Sequence, residues 1–71
     1  MSTRARRERE KRERRRSILQ AAREMFFESG FHQATVDSVA ERAEVSKGTV
    51  YLYFASKEAL LAHLLLEGLE E

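Results

Sequence analysis

Between Thr35 and Lys57 the chain sets hydroxyls, phenols, ammonium groups and a glycine at short intervals: Thr35, Ser46, Lys47, Gly48, Thr49, Tyr51, Leu52, Tyr53 and Lys57. Hydroxyls and phenols donate and accept hydrogen bonds, lysines attract phosphate, and exposed methyl groups meet the methyl of thymine. Such a set is suited to holding and reading a polyanion. It is not suited to catalysis, because no serine, histidine and carboxylate set and no carboxylate pair has a cleft to work in. The chain has no cysteine, which excludes disulfides and thiolate zinc sites. His32 and His63 stand far apart, neither with a second histidine at ligand spacing, so neither a metal nor a cofactor is expected.

These residues need a scaffold, and 71 residues allow one small domain burying roughly 60% of the surface of its unfolded chain. With proline absent, glycines and small hydroxyl residues do the punctuation, as expected of an all-α bundle of short helices joined by tight turns. Ile18, Leu19, Ala22, Met25 and Phe26 make one apolar face of a first helix that ends at Gly30, with Phe31 folding back on its last turn. A second helix, capped by Thr35, turns Val36, Val39, Ala40 and Ala43 inward. Ser46 caps a third with Val50 and Phe54 inward, and Ser56 a fourth through Leu60, Leu61, Leu64 and Leu65. Only Glu44 and Val45 separate the second helix from the cap of the third. Two short helices joined so tightly form a helix-turn-helix, whose second helix lies in the major groove of DNA.

At about 100° of rotation per residue, setting Val50 and Phe54 toward the core leaves Gly48, Thr49 and Leu52 pointing away and Tyr51 and Tyr53 toward opposite flanks. That layout matches a groove floor between two phosphate walls. Gly48 lets the backbone approach the duplex, Thr49 offers a hydroxyl or methyl to a base edge, and Leu52 meets a thymine methyl. The tyrosines suit phosphate hydrogen bonds. Lys47 and Lys57 add cations beside free amides at two consecutive helix starts, which a phosphate there would explain. Thr35 reads equally well as a plain cap or as a cap that also presents amides to phosphate.

The run from Thr35 to Leu60, TVDSVAERAEVSKGTVYLYFASKEAL, resembles the DNA-binding domain of the tetracycline-repressor (TetR) family of bacterial transcription regulators. The resemblance covers roughly Ile18 to Leu65, including Ser29-Gly30-Phe31 and the Ser56-Lys57-Glu58 closure. It implies a homeodomain-like three-helix core with a fourth connecting helix. It also implies DNA contacts at Lys47, Gly48, Thr49, Tyr51, Tyr53 and Lys57, with Thr35 and Ser46 on the backbone, in a cytoplasmic repressor that occupies a palindrome as a dimer. Two departures stand out. Glu44 replaces the glycine common in the turn, at about 1–2 kcal/mol if that residue is left-handed. Family members also continue into a helical domain that binds an effector and forms the dimer, whereas this chain stops at Glu71. The expectation is therefore a truncated regulator or a self-associating module, with a homodimer surface largely absent and no small-molecule effector for this chain alone.

Two segments remain. Residues 1–16 hold nine Lys/Arg and three Glu, a net +6, while residues 17–71 carry −5. With almost no apolar side chain to anchor it, this basic arm is expected to be mobile, with nascent helix the alternative. It reads as a solvated charge run, a backbone-tracking arm for double-stranded DNA or an arginine-rich RNA-binding element. The fourth helix carries Leu65, Leu66 and Leu69 beyond what a three-helix core covers, so a protein-interaction module is the rival function. His63, close by, reads as packing or surface. The most apolar run, Ala59 to Leu66, is far too short to span a bilayer, and no membrane partner is expected.

Overall fold

No glycine or proline interrupts the chain before Gly30, and the first helix uses that whole length. A computed structural model describes residues 2–67 as α1 (Thr3–Ser29), α2 (Val36–Ala43), α3 (Lys47–Tyr53) and α4 (Lys57–Glu67). The expectation of a mobile arm is corrected here, since residues 3–16 are the outer half of α1. Helix nucleation is the costly step and propagation adds one hydrogen bond per residue. The core-anchored half from Ile18 onward supplies the nucleus, and arginine, glutamate and lysine extend it readily. Ser2 closes the far end, its Oγ accepting from the Ala5 amide at 3.2 Å.

The other end of α1 follows the sequence signal. Gly30 has φ of +83°, its amide donates to the Phe26 carbonyl at 2.9 Å, and the Phe31 ring folds onto Phe26 at 5.3 Å between centroids. Helix α2 begins with a reciprocal cap: Thr35 Oγ1 accepts from the Ser38 amide and Ser38 Oγ from the Thr35 amide, both at 3.0 Å. It ends at Glu44, which is left-handed at φ 62° and ψ 40° and lets the Val45 amide reach the Ala40 carbonyl at 3.0 Å. Ser46 then caps α3 through the Thr49 amide at 3.1 Å, and Ser56 does the same for α4 through the Ala59 amide.

One core joins all four helices. Ile18, Leu19, Ala21 and Ala22 of α1 pack with Val36, Val39 and Ala40 of α2, Val50 of α3, Phe54 just beyond it and Leu60 of α4. Met25, Phe26, Ala43, Val45, Tyr53 and Leu64 border it half-buried, so Ala43 lies less deep than its spacing suggests. Arginine clamps brace α1 against its neighbours. Arg42 of α2 grips Glu28 of α1 with two bonds of 2.7 and 2.9 Å and reaches Glu24 at 3.4 Å. Arg15 of α1 grips Glu67 of α4 at 2.7 and 3.1 Å, lies 5.4 Å over the Phe54 ring and touches His63 Nδ1 at 3.1 Å. Arg42 thereby holds the Glu28 carboxyl below its ordinary range. These clamps leave α3 on the outside, bonded to the body through its turn and its buried face.

Candidate nucleic-acid interface

Helix α3 is only seven residues long, and its two faces differ sharply. Val50 is fully buried and Phe54 nearly so, whereas Leu52 is 82% exposed and Tyr51 is 46% exposed. The inward and outward sides expected from the sequence are thus found at Val50, Phe54 and Leu52, whereas Thr49, expected to point away from the core, is half-buried. Gly48 is exposed, has no positive φ, and a β-carbon added there would meet only Ser46 Oγ at 3.9 Å. Neither backbone conformation nor internal packing calls for glycine at this position.

The remaining residues divide by how free they are. Ser46 is committed to capping and also shares a 2.9 Å hydrogen bond with Thr49 Oγ1. The Thr49 hydroxyl is therefore engaged in one hydrogen bond, which leaves its methyl and its remaining hydrogen-bonding capacity for a neighbour. Tyr53 is half-buried against the core edge, so its ring is mostly structural. Lys47 lies 3.5 Å from Asp37, the acidic residue in the first turn of α2, and both are well exposed. A loose surface pair of this kind contributes little and yields readily to a phosphate.

Lys57 is placed differently from the sequence expectation. Its ammonium turns onto the α1–α2 turn and donates to the carbonyls of Phe31 at 2.7 Å and Ala34 at 3.1 Å, 4.4 Å above the Phe31 ring. It ties the start of α4 to the segment that presents Thr35. Thr35, Asp37, Lys47, Tyr51, Lys57 and Glu58 share the walls of an open concavity of about 370 Å³ beside α3. Here the starts of α2 and α4 meet the flank of α3, bringing Thr35, Lys47, Tyr51 and Lys57 onto one surface. Gly48, Thr49 and Leu52 are not among its lining residues. Asp37 has no role in the sequence reading and Glu58 enters it only through the Ser56-Lys57-Glu58 run; their carboxylates temper the local positive charge.

Arg15, Glu28, Arg42 and Glu67, the clamps behind this surface, were also not singled out. Their partners are 14 to 52 residues apart, beyond the reach of a local pattern. Among the described residues, no helix is long and apolar enough to cross a membrane.

Comparison with known proteins bears on the same residues. The family described as "Bacterial regulatory proteins, tetR family" matches residues 18–64. The chain is 45% identical over 53 residues to the HTH-type transcriptional regulator UidR of Escherichia coli, covering 75% of this chain and 27% of that protein. It is 46% identical over 50 residues to the fatty acid metabolism regulator protein of Bacillus subtilis, covering 70% of this chain and 26% of that protein. The A-factor receptor protein of Streptomyces griseus is 44% identical over 45 residues, which is 63% of this chain and 16% of that receptor. The chain thus spans about a quarter or less of these relatives' length.

Proposed function

The chain belongs to the TetR family of bacterial regulatory proteins, and from that premise we propose that it reads double-stranded DNA by sequence, with α3 in the major groove, as the DNA-binding part of a transcriptional repressor. The observation that carries the proposal is α3 itself. An exposed helix bears a glycine that the fold does not require, next to outward Leu52, Tyr51 and Lys47. Close approach of another surface supplies the missing reason for the glycine.

In this reading Gly48, Thr49 and Leu52 face base edges. Tyr51, Tyr53 and Lys47 hold phosphates on either side, and Thr35 and Ser46 present capped helix starts to the backbone. Lys57 orders the turn before Thr35 and adds its charge to the same strand. Residues 17–71 constitute the reading domain and residues 1–16 a basic arm joined to it. A dimer occupies a palindrome, one half-site per chain, in the bacterial cytoplasm. Leu65 and Leu66, 58% and 73% exposed, support self-association along α4; Leu69 lies outside the described residues.

The test is selection of bound sequences from a random pool of duplex DNA. An enriched motif with two inverted copies is the expected result. Binding without any enriched sequence would remove sequence reading from the account, and a single unrepeated motif would remove the palindrome.

A further inference from the structure

The helical state of residues 3–16 sorts their charges. At about 100° per residue, Arg4, Arg7, Lys11, Arg14 and Arg15 all fall within about 60° of the direction in which buried Ile18 points. Glu8 and Glu10 fall about 80° to either side, and Arg6, Arg9, Arg12, Glu13 and Arg16 occupy the back. The face that is apolar from Ile18 to Phe26 thus continues outward as a row of cations with no carboxylate inside it. Arg15, at the inner end, is taken by Glu67. Arg4, at the outer end, lies 3.7 Å from Glu8. Arg7, Lys11 and Arg14 between them are exposed and, among the described residues, make no ion pair.

This order carries a cost in like-charge repulsion; the cations at 6, 9, 12 and 16 on the back have the same spacing, but there Glu13 lies among them, whereas no carboxylate lies inside the row. Arg4, Arg7, Lys11 and Arg14 are successive neighbours three or four residues apart, and like charges at that spacing weaken a helix. A polyanion lying along the row removes the repulsion. Residues 2–16 contain no aromatic side chain, so the row lacks the stacking platforms with which proteins hold single strands. It does fit the regular phosphate backbone of a duplex. The row from Arg4 to Arg14 is about 15 Å long, enough to follow several phosphates of one strand. Lys11 lies about 30 Å along α1 from the turn that Lys57 braces, close to one turn of duplex.

We infer that this cationic face of the outer half of α1 is a second DNA-binding surface, which holds the phosphate backbone of duplex flanking the site read by α3. The inference rests on the DNA-reading function proposed above. Two triple variants separate the two. Arg7→Gln/Lys11→Gln/Arg14→Gln strips the row, and Arg6→Gln/Arg12→Gln/Arg16→Gln strips the back; each removes three cations and keeps helix propensity. Circular dichroism checks that both remain helical.

Binding is measured across salt on a short duplex carrying only the selected site and on the same site with about one helical turn of flank added at each end. The parent chain gains affinity and a steeper salt slope from the flanks. The row variant loses that gain, with a slope shallower by about 2 to 3 on the long duplex, while its binding to the short site stays near the parent's. The back variant keeps the gain. Equal losses in the two variants, no loss in either, or a flank gain obtained equally from single-stranded RNA would each overturn the inference. If the parent chain fails on the short site as well, the reading by α3 has failed and takes this inference with it.

Discussion

Replacing Gly48 with alanine should move stability and DNA binding in opposite directions. In the free protein the new methyl meets nothing closer than Ser46 Oγ at 3.9 Å, an ordinary contact, and the backbone there has no positive φ to relieve. A glycine inside a helix costs roughly 0.5–1 kcal/mol relative to alanine, and a position in the first turn falls at the low end. About 0.5 kcal/mol corresponds to a rise of roughly 2–4 °C in melting temperature for a domain of this size. On DNA the same methyl stands between the α3 backbone and the base edges. Pushing the helix out by one methyl weakens base contacts that are each worth about 1–3 kcal/mol, so the dissociation constant should rise roughly tenfold or more. Thermal melting by circular dichroism and fluorescence anisotropy with the selected duplex give the two numbers. A variant that binds as tightly as the parent refutes the idea that glycine is there for the duplex. A variant that melts lower refutes the claim that the fold has no use for it.

Other outcomes follow from the same structure. Glu44→Gly relieves a left-handed glutamate at φ 62° and should stabilise the domain by up to about 1 kcal/mol after the extra freedom of glycine in the unfolded chain is counted. Glu44→Ala should give no such gain, and equal melting of the two variants would contradict the backbone origin. Lys57→Ala frees the carbonyls of Phe31, His32 and Ala34 in the α1–α2 turn and should lower stability by about 1.5–3 kcal/mol in urea unfolding. The salt slope on DNA should fall by about 1 if Lys57 also meets a phosphate; an unchanged urea midpoint would argue against the clamp.

Glu67, hydrogen-bonded by Arg15 and then His63, has its carboxyl lowered from 4.5 to about 2. A carboxyl lowered by folding adds stability in full above its unfolded pKa and loses it as pH falls through the folded value. The Arg15–Glu67 contribution should therefore fade between about pH 4.5 and pH 2. Glu67→Gln should flatten the acid limb of the stability profile in that window. Parallel profiles would show that the pair is energetically silent, as many exposed pairs are.

Much of this architecture is legible in residue types at helix ends. Ser46 and Ser56 announce two starts, Thr35 a third, and Gly30 a stop, because orphan amides and left-handed termini admit few side chains. The inward set of α3 follows from 3.6 residues per turn, and with it the exposure of Leu52 and Tyr51. Three features escaped for one physical reason, namely that they depend on partners distant in sequence. The arm lacks apolar anchors of its own, yet it is helical because the segment from Ile18 is anchored and carries it. Arg15 and Arg42 look like any surface arginine until Glu67 and Glu28 are brought opposite them. Lys57 sits at a helix start, where the local rule expects an anion, but its long side chain reaches back to the carbonyls after Gly30. Thr49 is a nearer case, since Ser46 three residues earlier both caps the helix and holds its hydroxyl.

The claim that α3 reads DNA from the major groove is tested most directly by methylation interference on the selected duplex. Methylating guanine N7 places a group on the major-groove floor, whereas methylating adenine N3 places one in the minor groove. Within each half-site, N7 methylation should abolish binding and N3 methylation should leave it intact. Thr49→Ala and Leu52→Ala should also lose discrimination at base positions inside the N7-sensitive stretch. Interference confined to the minor groove, or none in either groove, would contradict the placement of α3.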